Sequence, residues 1–513
     1  MIEVRYQTSA PATPAQPPHP LRDSFVQLDQ AEQLRIKGKL DRAQSICEGL
    51  IRRYPDYMGA LHTLGLIYAD KKNYQRAFDY LARAAMLNPR SSNTLTALSG
   101  VYLRLGANEM AAQTLEQARR INPKDASVLV TLGEIYVEER EYELARDAYS
   151  QALELEPGLA PAAMGLGWTC SYLGQDAEAA KIFEGLITRG LRSVDPVLAL
   201  ASLPSSAVSI DLLDQLNNVV QEKDEDPAEF ANSIAFARSA VMDKLARHAE
   251  AWEQLVPANR SIFSRMGDDL NEATERQRAS LKRIQGSHIQ VPRGDPSESR
   301  ALSLFILGPS RSGKTSIERL VATLPGVKRG YENPIVENAI RRTFQNAALL
   351  TSDHFESLPD QLLAQCRDIY LEELAQRTGT ARVFTNTHPG RIYEVDRIVS
   401  TYPNSRFIFM KRNVEDTVLR MYMRRYNRGN AHAYDLTSAR DHVIWYHQMI
   451  DALAKKLPGS ARVIQYEDMV TDPRAALSVA AELCGLPVPT GPLPSVGDDR
   501  GCASAYRNFM EAT

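Results

Sequence analysis

ALSLFILGPSRSGKTSIERLVATL, residues 301–324, sets the reading of the second half of the chain. Ala301 to Leu307 is an apolar run of strand length, and SIERLVATL has helical periodicity. Between them stands GPSRSGKT, and this strand, loop and helix order is the context in which a glycine-rich loop binds phosphate. Gly308 and Gly313 let backbone amides wrap an oxyanion, and the helix N-terminus adds partial positive charge. Arg311, Ser312, Lys314 and Thr315 supply further donors.

Downstream, a second buried strand, RFIFM (Arg406 to Met410), runs into Lys411, Arg412 and Asn413 and then the helical pattern EDTVLRMYMRRY. Cations at the end of a parallel strand, beside a helix start, suit a second phosphate. An ATP-using enzyme should instead show a strand ending in a magnesium-binding carboxylate. Taken literally, Gly308 to Thr315 still matches the phosphate loop of NTPases and kinases, so a nucleotide-dependent kinase remains open.

The same loop resembles the 5′-phosphosulfate loop of sulfotransferases through Arg311, Ser312, Gly313 and Thr315, with Lys314 where the family has a first threonine. PNSRFIFMKRNVEDTV resembles the segment by which those enzymes hold the 3′-phosphate of adenosine 3′-phosphate 5′-phosphosulfate (PAPS), which implies that Arg412 contacts it. ARVIQYEDMVTDPRAALSVAAELCGLP, Ala461 to Pro487, is similar to their late strand, Tyr-Glu-Asp turn and terminal helix, with Glu467 and Asp468 bracing the fold. Sulfuryl transfer needs a base for the acceptor hydroxyl and cations for the transferring group. The resemblance supplies two bases. Glu332, in PGVKRGYENP, resembles the catalytic glutamate of tyrosylprotein sulfotransferases, and His388, in FTNTHPGR, resembles the Lys-Thr-His segment of cytosolic ones. Glu332 ranks first, with Arg311 and Lys314 as the catalytic cations.

Two positions depart from the family. Arg420 stands where a serine usually follows the phosphate-binding arginine, placed to reach a phosphate or to pair with Asp416. Asn386 and Thr387 replace the usual strand-end lysine, a charge that Lys314 restores on this reading. Ser495 and Arg500, in SVGDDRGCASAYR, are candidates for a lid over the cofactor. The run RMYMRRYNRGNAH, Arg420 to His432, reads as a solvated helix face or an acceptor site.

The first half is periodic. Pro55, Pro89, Pro123 and Pro157 recur every 34 residues, each after an apolar helical pattern. Tyr68, Tyr102 and Tyr136 keep register, as do Ala43, Ala77, Ala111, Ala145 and Ala179, and Gly65, Ser99, Gly133 and Gly167. Small residues let paired helices approach, and each proline stops the second helix. The segments resemble tetratricopeptide repeats, and repeats followed by this kind of domain resemble a group of bacterial sulfotransferases. The expected organisation is a disordered segment over 1–22, repeats over 23–190, a helical extension or degenerate repeat over 191–284, a linker over 285–300, and a P-loop-like α/β domain with a parallel sheet over 301–513. In the extension, Ala249 and Ala251 are expected at a tight helix crossing that ends at Pro257.

Sixty basic against 63 acidic residues give a formal charge of −3, which implies no global attraction to nucleic acid or membrane. Five scattered cysteines lack zinc or disulfide spacing. No signal peptide or apolar span stands out, so a cytoplasmic protein is expected. The resemblance implies PAPS as co-substrate without a metal, a hydroxyl-bearing acceptor, and a protein or peptide partner on the repeat face. A repeat scaffold with a degenerate domain fits the two departures, and a sensor that binds PAPS without turnover stands between that and an enzyme.

Overall fold

The computed structural model describes residues 22–221, 226–289, 301–347, 354–402, 404–426 and 429–513, with the side chains of Glu109 and Asp268 left aside. Most of the expected N-terminal segment and linker lies outside these residues. The described residues form two compact units, one within Met1–Glu138 and Tyr142–Thr169, the other within Glu139–Glu141 and Cys170–Thr513.

The 34-residue period becomes helix pairs. Second helices begin at Leu40, Tyr74, Asn108, Tyr142 and Asp176, and first helices after the opening Arg22–Ile36 begin at Met58, Ser92, Ala126 and Ala160. Helices end at Arg53, Leu87, Ile121 and Leu155, two residues before each register proline, because the residue preceding proline is pushed out of helical geometry. The in-register alanines are fully buried. A Cβ on Gly65 would lie 2.5 Å from Leu81 Cγ, and one on Gly133 2.6 Å from Tyr149, so these positions set how closely the helices of a pair approach.

Within the second unit, five parallel strands take the order β2-β3-β1-β4-β5: β1 Leu302–Leu307, β2 Val327–Lys328, β3 Val383–Asn386, β4 Ser405–Lys411 and β5 Ala461–Gln465. Both faces of the sheet are covered, which is why LSLFIL and RFIFM read as continuous apolar runs. Side chains alternate across the strand. Phe305, Leu307, Phe407 and Phe409 meet helices Ile335–Asn346, Leu363–Thr378 and Leu436–Lys456. Leu304, Ile306, Ile408 and Met410 meet helices Lys314–Val321 and Pro473–Cys484. Neighbouring β1 and β4 end side by side, and parallel sheets bind ligands in the crevice outside the carboxyl ends of such strands.

The extension shares a core with this domain. Phe236, Trp252, Leu255 and Ile262, from helices Pro227–Lys244 and His248–Phe263, pack with Val418, Tyr422, Val443 and Tyr506. Asn259, fully buried, donates to Tyr422 O at 3.1 Å. Two expectations here are corrected. Pro257 lies inside its helix, where the burial of Leu255, Ala258 and Ile262 carries the helix through the missing hydrogen bond. Ala251 is buried but Ala249 is exposed, so only one of them lies at a crossing. Among the described residues no helix is long and apolar enough to cross a membrane.

Candidate active site

The loop after β1 is shaped by what it excludes. A Cβ on Gly308 would lie 2.4 Å from Ser312 Oγ and 2.8 Å from Met410 O, so only glycine lets the end of β1 press against β4. Gly313 has φ 92° and Arg311 φ 67°, a left-handed pair that turns successive amides inward. The amides of Gly313, Lys314 and Thr315 make no hydrogen bond among the described residues. Ser312 Oγ is buried without a partner, and Thr315 is exposed. A buried hydroxyl without a partner, such as Ser312 Oγ, is costly unless a ligand completes it.

Lys314 folds back into this loop, with Nζ donating to Gly308 O at 3.0 Å and Pro309 O at 3.1 Å. Burial lowers its pKa to about 8, against the opposing pull of Glu332, and Arg311 lowers it further. Arg311 has open surface yet lies in a dense protein surround. Burial, followed by Arg424, brings it to about 10, which still leaves it charged at neutral pH. Its side chain forms no ion pair with the described residues.

Glu332 is half-buried and makes no hydrogen bond or ion pair with the described residues. The turn that carries it is heavily braced. The buried carboxylate of Glu318 accepts from Tyr331 N at 3.0 Å, from Thr385 Oγ1 at 2.6 Å and from Arg329 at 3.0 Å. Tyr331 is held at φ 55°, and a Cβ on Gly330 would stand 2.1 Å from Thr385 O. Gly330→Ala is therefore expected to cost about 1–3 kcal/mol in denaturant unfolding and to lower any activity that depends on Glu332. An unchanged unfolding midpoint would show that the turn can relax around the methyl group.

The charge of Glu332 reaches the His388 ring, but that ring is committed. Gly390 N donates to Nδ1 at 3.1 Å, which leaves the proton of the neutral ring on Nε2, 3.8 Å from Glu337 Oε1. Burial and then Arg391 hold its pKa below the ordinary histidine value. Asn386 and Thr387 are likewise structural. Asn386 Nδ2 donates to Asn333 O at 3.1 Å, and the Thr387 amide donates to Tyr331 O at 2.7 Å.

Arg412 is buried at the end of β4, stacked 4.5 Å over the Tyr466 ring. It donates to Arg311 O at 3.0 Å and to Asp499 Oδ2 at 3.1 Å. Arg420 pairs with Asp499 at 2.5 Å and with Asp243 of the extension at 2.7 Å; the expected alternative partner, Asp416, instead accepts from Gly501 N and Ala503 N. Arg500 points to Asp498 and Thr471, while its neighbour Asp499 faces the two arginines. Glu467 accepts from Asn413 N at 2.8 Å, and the expected Tyr-Glu-Asp turn is a short helix, Tyr466–Thr471.

The model for the sulfotransferase family matches residues 303–490, and tetratricopeptide repeat models match residues 28–93, 68–133 and 126–158. The chain joins tetratricopeptide repeats to a sulfotransferase-family domain. An uncharacterized protein of Aquifex aeolicus (strain VF5) is 22% identical over 272 residues, which is 51% of this chain and 35% of that protein. The chain thus spans about a third of the length of that relative. Two similar solved structures are TTC0263, a thermophilic TPR protein of Thermus thermophilus, and a tetratricopeptide repeat protein of Parabacteroides merdae. The first is 23% identical and covers 35% of this chain and 97% of its own, with TM-score 0.32. The second is 18% identical and covers 47% and 93%, with TM-score 0.36.

The sulfotransferase-family domain also holds groups near the loop that sequence reasoning missed. His432 and His442 stack at 3.6 Å, both buried, with His432 Nε2 unpartnered and His442 Nδ1 accepting from Gln277 Nε2 at 2.9 Å. Burial brings His432 to about 4, and burial, His432 and Lys314 push His442 well below the ordinary range. Asp499, Asp243 and Tyr466 complete the surround of Arg412 and Arg420. No spacing in GDDR distinguishes Asp499 from Arg500 as the group that turns inward.

Proposed function

We propose that the chain transfers a sulfuryl group from PAPS to a hydroxyl of a protein, glycan or small-molecule acceptor. The observation that carries this reading is an unpaired carboxylate, Glu332, acting directly on the buried Lys314 of a loop whose amides and Ser312 Oγ lack partners. PAPS, when bound, supplies the sulfuryl group. Gly308, Arg311, Ser312, Gly313, Lys314 and Thr315 would hold the 5′ anion, with Lys314 exchanging its two loop carbonyls for that charge. Glu332 would take the acceptor proton, because His388 has spent its Nδ1 lone pair on Gly390. Arg412 would meet the 3′-phosphate. The repeats would bind the acceptor or a protein partner, and five free cysteines suit a cytoplasmic location.

Thermal-shift titration with adenosine 3′,5′-bisphosphate, beside ATP with magnesium, tests the reading. Bisphosphate at 100 times its dissociation constant should stabilise the fold by about 2.7 kcal/mol. Stabilisation by ATP alone would replace the sulfotransferase with a kinase. Bisphosphate binding without label transfer from PAPS would point to a sensor.

A further inference from the structure

One carboxylate, that of Asp499, pairs with Arg412 at the end of β4 and with Arg420 on helix Val414–Tyr422, and the buried Arg412 Nε is left without a partner. Arg420 Nε approaches the two oxygens of Asp499 at 3.1 and 2.9 Å, and its Nη2 approaches Oδ1 at 2.5 Å. Arg412 Nη2 donates to Asp499 Oδ2 at 3.1 Å and to its backbone oxygen at 2.6 Å. Arg420 thus holds the carboxylate in the bidentate geometry by which guanidinium groups recognise phosphate, while Arg412 adds a single nitrogen, and the anion is a side chain of the same molecule. The segment around Asp499 is strapped in place. Its amide donates to Tyr466 Oη at 3.1 Å, Tyr466 Oη donates to Gly497 O at 2.7 Å, and Asp416 accepts from Gly501 N at 2.7 Å and Ala503 N at 2.9 Å. Asp499 keeps 35% of its side chain exposed, so it can leave without opening the core. A phosphate arriving beside a carboxylate that stayed would meet like charge.

We propose that Asp499 is a specificity-determining residue: it is an internal counter-anion that a nucleotide's second phosphate must displace from Arg412 and Arg420. The inference rests on the reading that these arginines face the 3′-phosphate. Its consequence is that the resting protein discriminates weakly between a nucleotide with that phosphate and one without. Asp243, which holds Arg420 from the other side at 2.7 Å, keeps the guanidinium in place when Asp499 leaves.

Calorimetric titration of the full chain, wild type and Asp499→Asn, with adenosine 3′,5′-bisphosphate and with adenosine 5′-monophosphate provides the test. Asparagine keeps the shape and drops the charge. Asp499→Asn should bind the bisphosphate about tenfold or more tightly than wild type does, and the monophosphate within about twofold. Equal or weaker bisphosphate binding by the variant, while wild type binds it, would make Asp499 a brace and leave the PAPS reading standing. Failure of both proteins to bind the bisphosphate would overturn both. If the variant does not fold, hydrogen exchange on wild type decides. Bisphosphate should speed exchange at the amide of Asp499, whereas monophosphate should not. Unchanged or slowed exchange would overturn the proposal.

Discussion

Glu332→Gln is expected to lower sulfuryl transfer by about 10²–10⁴-fold, while adenosine 3′,5′-bisphosphate binds within about twofold of wild type, because a general base acts on the acceptor and not on the departing nucleotide. The carboxylate has no competing partner among the described residues, and its turn is fixed by Glu318, Gly330 and Thr385. Glutamine keeps the side chain's length and polarity and cannot accept the proton. The matched control is His388→Asn. That change exchanges one cap on Gly390 N for another and removes no base, so its cost should stay below about tenfold in turnover and within about 1 kcal/mol in stability. Label transfer from PAPS under single-turnover conditions separates the two. A large loss at His388 with little loss at Glu332 would move the base to the histidine and require its ring to flip.

Most of the architecture was legible because it rests on periodicity. Prolines every 34 residues dictate where helices stop, and an apolar run between a loop and a helix dictates a buried parallel strand. The glycine loop was legible for the same reason, since φ 92° at Gly313 and the contact of Gly308 with Met410 are backbone requirements that only glycine meets. Side-chain pairing was not legible. Whether Arg420 meets Asp416, Asp499 or a phosphate depends on residues distant in sequence, Asp243 and Asp499, brought together by the extension and the C-terminal segment. The expectation for Arg500 shows the limit most sharply, since one residue's shift along GDDR exchanges a cation for an anion. Pro257 illustrates a related limit. Local rules end a helix at proline, but a shared core with Tyr422 and Val443 outweighs them.

Lys314 should give the second large effect, visible as a pH dependence. Only the protonated amine attracts the 5′ anion, and burial has brought its pKa to about 8. Affinity for adenosine 3′,5′-bisphosphate should therefore be level below that pH and fall by up to about tenfold per unit above it. The contribution to unliganded stability has the opposite sign. Between about 8 and the ordinary lysine value of 10.5, the unfolded chain holds a proton that the folded chain has released, so this group's penalty on folding shrinks as pH rises. Stabilisation by ligand must then shrink across the same window in which the free protein gains from this group. Arg311, at about 10, titrates higher, and His388, held below its usual value, titrates lower, so neither accounts for a transition near 8. Lys314→Thr restores the residue type that sulfotransferase loops resembling this one carry. With Asn386 and Thr387 engaged as braces, the substitution leaves no lysine beside the transferring group, and turnover should fall by about 10²-fold or more. The pH transition in affinity should vanish with it. Calorimetry between about pH 6.5 and 9.5, beside turnover at about pH 7, measures both. A flat wild-type profile, or full turnover in Lys314→Thr, would show that the lysine only braces Gly308 and Pro309 and that the family's missing charge is supplied elsewhere.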